Sequence, residues 1–252
     1  MLLLVDVGNT NTRVGLWEGG EVGRLDLSPT ALLADATAVS ALVERVAGAG
    51  PDEMSVAFCS GVPAAQELWR AVVADLFVVR GDTPAPVENG YREPARLGAD
   101  RLAAAVGAVR RLGAPVVVVS LGTATVVDAV AADRRLLGGA IAAGVETGLQ
   151  ALAQKAAQLP RAAAAAPPGV IGRDTDECLQ SGAVLGMSAL VEGMIGRLRE
   201  VIGETAPVAL TGGHAELISE QLRCTHQVFP ALTLEGLAAV WEHNRGRSDA
   251  DR

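Results

Sequence analysis

The stretch LLLVDVGNTNTRVGL, residues 2–16, is rewritten half a chain later as VVVVSLGTATVVDAV, residues 116–130. Each copy opens on four apolar residues, meets a short polar residue, turns at a Gly among small hydroxyl or amide residues, and resumes as an apolar strand. A short, wholly apolar opening suits a strand in the middle of a sheet. The copies differ at one position that matters chemically: Asp6 in the first is Ser120 in the second. Two halves that open alike predict a duplicated α/β unit with a cleft between the copies.

Outward from the first copy, Glu18–Glu21 supplies a hairpin turn, and residues 36–48 carry Val39, Leu42, Val43 and Val46 on one helical stripe. Residues 54–62 read as a strand, and residues 63–77 as a helix opened by Pro63. Residues 78–98 form a polar loop with three prolines, and a loop of that length is more often functional than idle. Residues 99–113 make a strong helix stopped at Gly113. After the second copy come a helix near residues 146–158, a long helix near residues 175–201, a strand ending in Gly212 and Gly213, and a closing helix near residues 232–244. The expected division is residues 1–114, residues 115–244 and a disordered tail of residues 245–252.

Composition narrows the function. The chain of 252 residues is half apolar, so it buries a sizeable core. A formal charge of −8 opposes non-specific nucleic-acid binding and docking on an anionic membrane. Lys155 is the only lysine, which excludes a P-loop or Schiff-base lysine elsewhere. Cys59, Cys178 and Cys224 lie far apart without a C-x-x-C and read as three buried, reduced thiols. His214, His226 and His243 are scattered, so no zinc site is indicated. The N-terminus lacks a basic segment before Asp6, and no apolar run approaches the ~20 residues of a membrane helix, so a soluble, cytoplasmic protein with no membrane partner is expected.

A strand running into D-x-G-x-T sets a carboxylate at the strand end, then a Gly that lets backbone approach a ligand closely. The exposed N–H groups of such a turn, with Asn9, Thr10, Asn11 and Thr12, can grip phosphate oxygens, and Asp6 can hold a hydrated Mg²⁺ that bridges them. The second turn, Gly122 to Thr125, would clasp the same polyphosphate, and the T-G-G of Thr211 to Gly213 offers backbone for an adenosine. A lone turn of this kind reads equally well as an ordinary polar hairpin; the matched pair is the stronger signal.

A strand with D-x-G-x-T, a second such turn and a late T-G-G together resemble the acetate and sugar kinase/Hsc70/actin superfamily. DVGNTNT from Asp6, YREPARLGADR from Tyr91, GTAT from Gly122, GGAIAAGV from Gly138, LPR at Leu159 and TDECLQSGAVLG from Thr175 occur in the order that resembles type III pantothenate kinases. The resemblance covers nearly the whole chain, and G-A-D-R after Y-x-x-P is its most specific part. It implies two ribonuclease-H-like domains, a homodimer, and transfer of the ATP γ-phosphoryl group to the primary hydroxyl of pantothenate, the first step of coenzyme A synthesis. By the same resemblance Asp6, Val7, Gly8, Asn9, Thr10, Asn11, Thr12 and Arg13 bind ATP and Thr123 touches its phosphates. Tyr91, Gly98, Ala99, Asp100, Arg101 and Thr175 line the pantothenate site, with Asp100 the proton acceptor. A carboxylate beside an alcohol too weak to ionise suits that role, and Arg101 suits the substrate carboxylate.

The resemblance also implies an Asp at position 120 that binds potassium or ammonium. Serine keeps an oxygen but loses the charge. Three readings stay open: an active enzyme freed of the cation, one that binds it through carbonyls, water and Asp128, or a slowed or silent homologue with a nucleotide-binding regulatory role. Another small-molecule kinase of the superfamily is the further alternative. With Asp6, Asp100, Thr123 and Thr175 intact, an active enzyme with altered cation dependence is expected.

Overall fold

β1 (Leu2–Val7) is buried at every residue, Asp6 included, as suits a largely apolar strand with neighbours on both edges. The computed structural model describes residues 1–250, and side chains as far as Arg245. Two units emerge, one of residues 1–111, 134–136 and 231 onward, the other of residues 112–133 and 137–230. After β1 come β2 (Asn11–Glu18), β3 (Glu21–Pro29), α1 (Ala36–Ala47) and β4 (Ser55–Ser60). Then follow α2 (Pro63–Val72), β5 (Asp75–Val78), β6 (Glu88–Asn89) and α3 (Ala99–Leu112). β7 (Val116–Leu121), β8 (Ala124–Val130), β9 (Arg135–Ala143) and α4 (Val145–Lys155) open the second cycle. α5 (Thr175–Gln180), a π-helical turn (Ser181–Leu185), α6 (Gly186–Ile202), β10 (Val208–Thr211), α7 (Ala215–Ser219), β11 (Gln227–Val228) and α8 (Leu232–Ala250) complete the chain.

The first sheet is ordered β3-β2-β1-β4-β5, with β1 antiparallel to β2 and parallel to β4, and β4 parallel to β5. The second sheet repeats it as β9-β8-β7-β10-β11, with β7 antiparallel to β8 and parallel to β10, β10 parallel to β11, and β6 added as a sixth strand parallel to β9. The two quoted stretches are therefore the same hairpin in the same place of two sheets of one topology.

Side-chain alternation sorts each sheet into two faces. In the first unit Leu3, Val5 and Val7 join Val14, Leu16, Val56 and Phe58 in a core that includes Val39, Leu42, Val43 and Val46 of α1 and Trp69 of α2. Each such side chain contributes roughly 1.5–3 kcal/mol by leaving water. Leu4 and Asp6 take the other face, where Leu234 of α8 packs on Gly15, the cross-strand partner of Leu4. In the second unit Val117, Val119 and Leu121 meet Val208, Leu210, Leu149 of α4 and Val191 of α6.

The closing helix, expected with the second half, belongs to the first unit. Its Leu232, Leu234, Leu237, Ala238 and Val240 are buried there, and it meets α3 at a seam with no room for side chains. A Cβ on Gly236 would lie 1.7 Å from the Ala103 carbonyl oxygen, and one on Gly107 would lie 2.3 Å from that of Leu232. Arg111 of α3 clamps the seam by donating from Nε and Nη2 to the Glu235 carboxylate, both at 2.6 Å. Arg111→Met, which keeps the stem but leaves the buried Glu235 without this bidentate partner, is expected to cost about 2 kcal/mol. The check is thermal unfolding, with a fall in Tm of roughly 5 °C.

Other departures from the sequence reading have local causes. α2 stops at Val72, and residues 75–77, expected in the helix, pair with β4 as a strand together with Val78, expected in the loop. The tail expected to be disordered continues α8 to Ala250, since an established helix propagates cheaply without proline; residues 251–252 lie outside the described residues. α5, the π turn and α6 form one helix, Thr175–Ile202, that is long and apolar enough by length and composition to cross a membrane, against the expectation that no run was. Val184, Val191 and Ile195 seat it on the second core. Of the thiols read as buried, only Cys59 is; Cys178 is exposed and Cys224 half-buried.

Candidate active site

In the first unit the end of β1 presents Asp6 between Arg13 of β2 and Cys59 of β4, its cross-strand partners on either side. The Arg13 guanidinium stands 3.8 Å from Asp6 Oδ2, and the Cys59 thiol donates to Asp6 Oδ1 at 3.4 Å. The following turn is tied down by Thr30: its N–H donates to the Thr10 carbonyl at 2.9 Å, and its hydroxyl donates to that of Gly8 at 2.8 Å and sits 3.0 Å from Thr12 Oγ1. Asn9, Thr10 and Asn11 are exposed, whereas Val7 and Thr12 are buried, so these last two can meet a ligand only through backbone.

Asp100 lies in the first turn of α3, where the helix dipole favours a negative charge. Its carboxyl folds back over Gly98, where a Cβ would lie 2.5 Å from Asp100 Oδ1, so a side chain at that position would push the carboxyl aside. Burial first, and then the charge of Asp100, push the Asp6 carboxyl up to about 6, against the pull of Arg13 and the Cys59 hydrogen bond. Burial and the same two carboxylates push the Cys59 thiol well up. Asp6, Cys59 and Asp100 thus share one electrostatic environment.

Beside them the polar loop is folded rather than loose. Asn89 donates from Nδ2 to the carbonyls of Gly81 at 2.7 Å and Pro94 at 3.0 Å, and accepts from the Tyr91 N–H at 2.9 Å. Tyr91 is thereby held with its hydroxyl on the guanidinium of the buried Arg101, and the two act as one unit. Ala99, half-buried, joins them at the helix start.

In the second unit Ser120 occupies the place of Asp6, but its cross-strand partners are Val126 and Thr211 instead of Arg13 and Cys59. The hairpin is built with equal care. The Thr123 carbonyl accepts from the Gly144 N–H at 3.0 Å and from the Thr147 hydroxyl at 2.7 Å, and the Leu121 carbonyl accepts from the His214 N–H at 3.1 Å. Gly212, at φ 110°, passes so close that a Cβ would lie 2.3 Å from the Leu121 oxygen. Thr125 and Thr211 bury hydroxyls with no hydrogen-bond partner among the described residues. Thr175 is the exposed first residue of α5, whose start is capped by Asp174 accepting from the Glu177 N–H at 2.8 Å.

Among the described residues no three His, Cys, Asp or Glu side chains gather as a metal centre. Two mutually repelling carboxylates with one nearby guanidinium instead fit a hydrated Mg²⁺ shared with ligand phosphates, which needs only one or two protein carboxylates.

A strand order written twice, each time with a glycine hairpin at the end of the first strand, defines the actin-like ATPase and sugar kinase fold of two ribonuclease-H-like units. The chain shares its fold with the crystal structure of a conserved putative Baf family transcriptional activator from Campylobacter jejuni (TM-score 0.64, 15% identity, 97% of this chain and 99% of that one). The sequence profile of the type III pantothenate kinases matches residues 2–197. The chain is 39% identical over 251 residues to the type III pantothenate kinase of Thermomicrobium roseum, covering 96% of this chain and 97% of the relative. It is 36% identical over 254 residues to that of Roseiflexus sp. strain RS-1, covering 97% and 100%. The chain belongs to the type III pantothenate kinase family.

Proposed function

We propose that the protein transfers the γ-phosphoryl group of ATP to the primary hydroxyl of pantothenate, giving 4′-phosphopantothenate, with Asp100 as the base. The observation that carries this reading is the placement, in one unit, of Asp6 at the glycine hairpin between β1 and β2 and of Asp100 in the first turn of α3, near enough for its charge to raise the Asp6 carboxyl. As the hydroxyl oxygen forms its bond to the γ-phosphorus, the bond from that phosphorus to the β–γ bridging oxygen breaks and the hydroxyl proton passes to Asp100. The turn from Asp6 to Arg13 and Thr123 hold the phosphates. Tyr91, Gly98, Ala99, Arg101 and Thr175 receive pantothenate. Asp6 would hold Mg²⁺, which would neutralise phosphate charge when bound.

Two further assignments go with it. The protein is cytoplasmic, as a coenzyme A precursor enzyme without nucleic-acid or membrane partners. It works as a homodimer, a state supported by Leu152 and Leu190, exposed beside an apolar cavity of about 500 Å³ in the second unit.

A second reading, a silent nucleotide-binding homologue, rests on the neutral Ser120. One experiment separates the two: incubation with ATP, Mg²⁺ and pantothenate, with the product followed by mass, in potassium and in choline buffers of equal ionic strength. The expected result is phosphopantothenate at rates within about twofold in the two buffers, because a hydroxyl is a far weaker cation ligand than a carboxylate. Turnover with sugars alone, or nucleotide binding without turnover, would displace the reading. A strong potassium requirement would remove Ser120 as its determinant.

A further inference from the structure

We propose that Cys59 is a positioning residue for nucleotide binding: its thiol fixes the Asp6 carboxylate in the rotation that receives the metal–phosphate group. The inference rests on the reading of Asp6 given above.

Placement comes first. Cys59 sits beside Asp6 on the neighbouring parallel strand, in direct register. On β4, Val56 and Phe58 enter the core shared with α1 and α2, so Cys59 takes the opposite face, the one on which Asp6 lies. The side chain is fully buried, with Sγ 3.4 Å from Asp6 Oδ1. Arg13, at 3.8 Å from the other oxygen, supplies charge but no hydrogen bond. The thiol is therefore the group that sets the carboxylate's rotation, and it leaves Oδ2 turned to the guanidinium and to whatever cation joins it.

The chemistry agrees. Fully buried and 3.4 Å from a carboxylate oxygen, the thiol is placed to donate its S–H. An S–H is a weak donor that orients a carboxylate without quenching its basicity. The second unit offers a contrast: at the same register position, beside the uncharged Ser120, Thr211 buries a hydroxyl that finds no hydrogen-bond partner among the described residues, so only the copy with the carboxylate has a paired donor there.

The test compares Cys59→Ala and Cys59→Ser with the wild type. Loss of one orienting hydrogen bond is expected to raise KM for MgATP about tenfold in the alanine variant, with KM for pantothenate unchanged and kcat lowered less than threefold. Serine, a donor of similar size, is expected to restore KM to within about twofold. Independently of turnover, the rise in Tm on adding ADP and Mg²⁺ should shrink in Cys59→Ala and return in Cys59→Ser. Wild-type values in Cys59→Ala, or serine failing as alanine does while both fold, would overturn the proposal and leave Cys59 as packing. If Cys59→Ala does not fold, Cys59→Val fills the space without a donor and takes its place. A wild type that makes no phosphopantothenate fails the reading of the reaction, whereas the ADP–Mg²⁺ shift still decides the role of Cys59.

Discussion

Asp100→Asn is expected to lower kcat for pantothenate phosphorylation by a factor of roughly 10²–10⁴ and to leave ATP affinity within about twofold. The amide matches the carboxylate in shape, so the fold of Gly98 beneath it and the start of α3 persist. What is lost is the ability to accept a proton, together with a charge–dipole contribution of roughly 0.3–1 kcal/mol at the helix start. The charge also matters to a neighbour: Asp100 is the second-largest cause of the raised Asp6 carboxyl, so the variant should lower the pKa of Asp6. Single-turnover kinetics with ATP binding measured separately would show both halves of the result. A variant that keeps most of its rate would reduce Asp100 to a substrate-positioning or helix-start residue.

Asp6→Asn should be inactive yet more stable than the wild type above pH 6. The sign follows from the carboxyl's titration. Folded, Asp6 releases its proton at about 6, against a value of 3.8 without the fold. Below pH 4 the group is protonated in both states and costs nothing. Between pH 4 and 6 the unfolded chain has released the proton that the folded one retains, so stability falls as pH rises. Above about pH 7 the full cost is in place, on the order of 3 kcal/mol. Asparagine does not titrate and escapes it. Unfolding curves of the two proteins should therefore coincide near pH 4 and separate by roughly 8 °C in Tm at pH 7.5, while turnover in the variant falls below detection. Equal separation at both pH values would mean that Asp6 is not held protonated by its surroundings. On the proposed reading, that result would make Asp6 a place where stability is given up for function.

Much of this was legible in the residues. The duplicated stretch foretold two sheets, since a period of apolar letters ending in D-x-G-x-T specifies strand, hairpin and strand by local chemistry alone. The G-A-D-R start of α3 was equally plain. What escaped depends on contacts distant in sequence. Residues 75–78 continue the apolar pattern of α2, and only pairing with β4 makes them a strand. The closing helix was assigned to the half it follows in the chain, because nothing in LTLEGLAAV says that Gly236 will meet Ala103. Thr30 and Cys59, which hold the first hairpin and its acid, act across 22 and 53 residues respectively. Asn89 could have been suspected, since Asn-Gly marks turns.

The backbone-to-backbone seam of α3 and α8 has a consequence for how the acid behaves. Most helices rest on side chains that can swing to absorb a shift, but here peptide groups touch peptide groups and nothing between them can yield. The perch of Asp100 is accordingly inherited from main-chain geometry about two helical turns away, at Gly107. An innocuous-looking extra methyl at that remote spot would tilt the whole rod that carries the carboxylate, disarming the enzyme without touching a single group that meets its reactants.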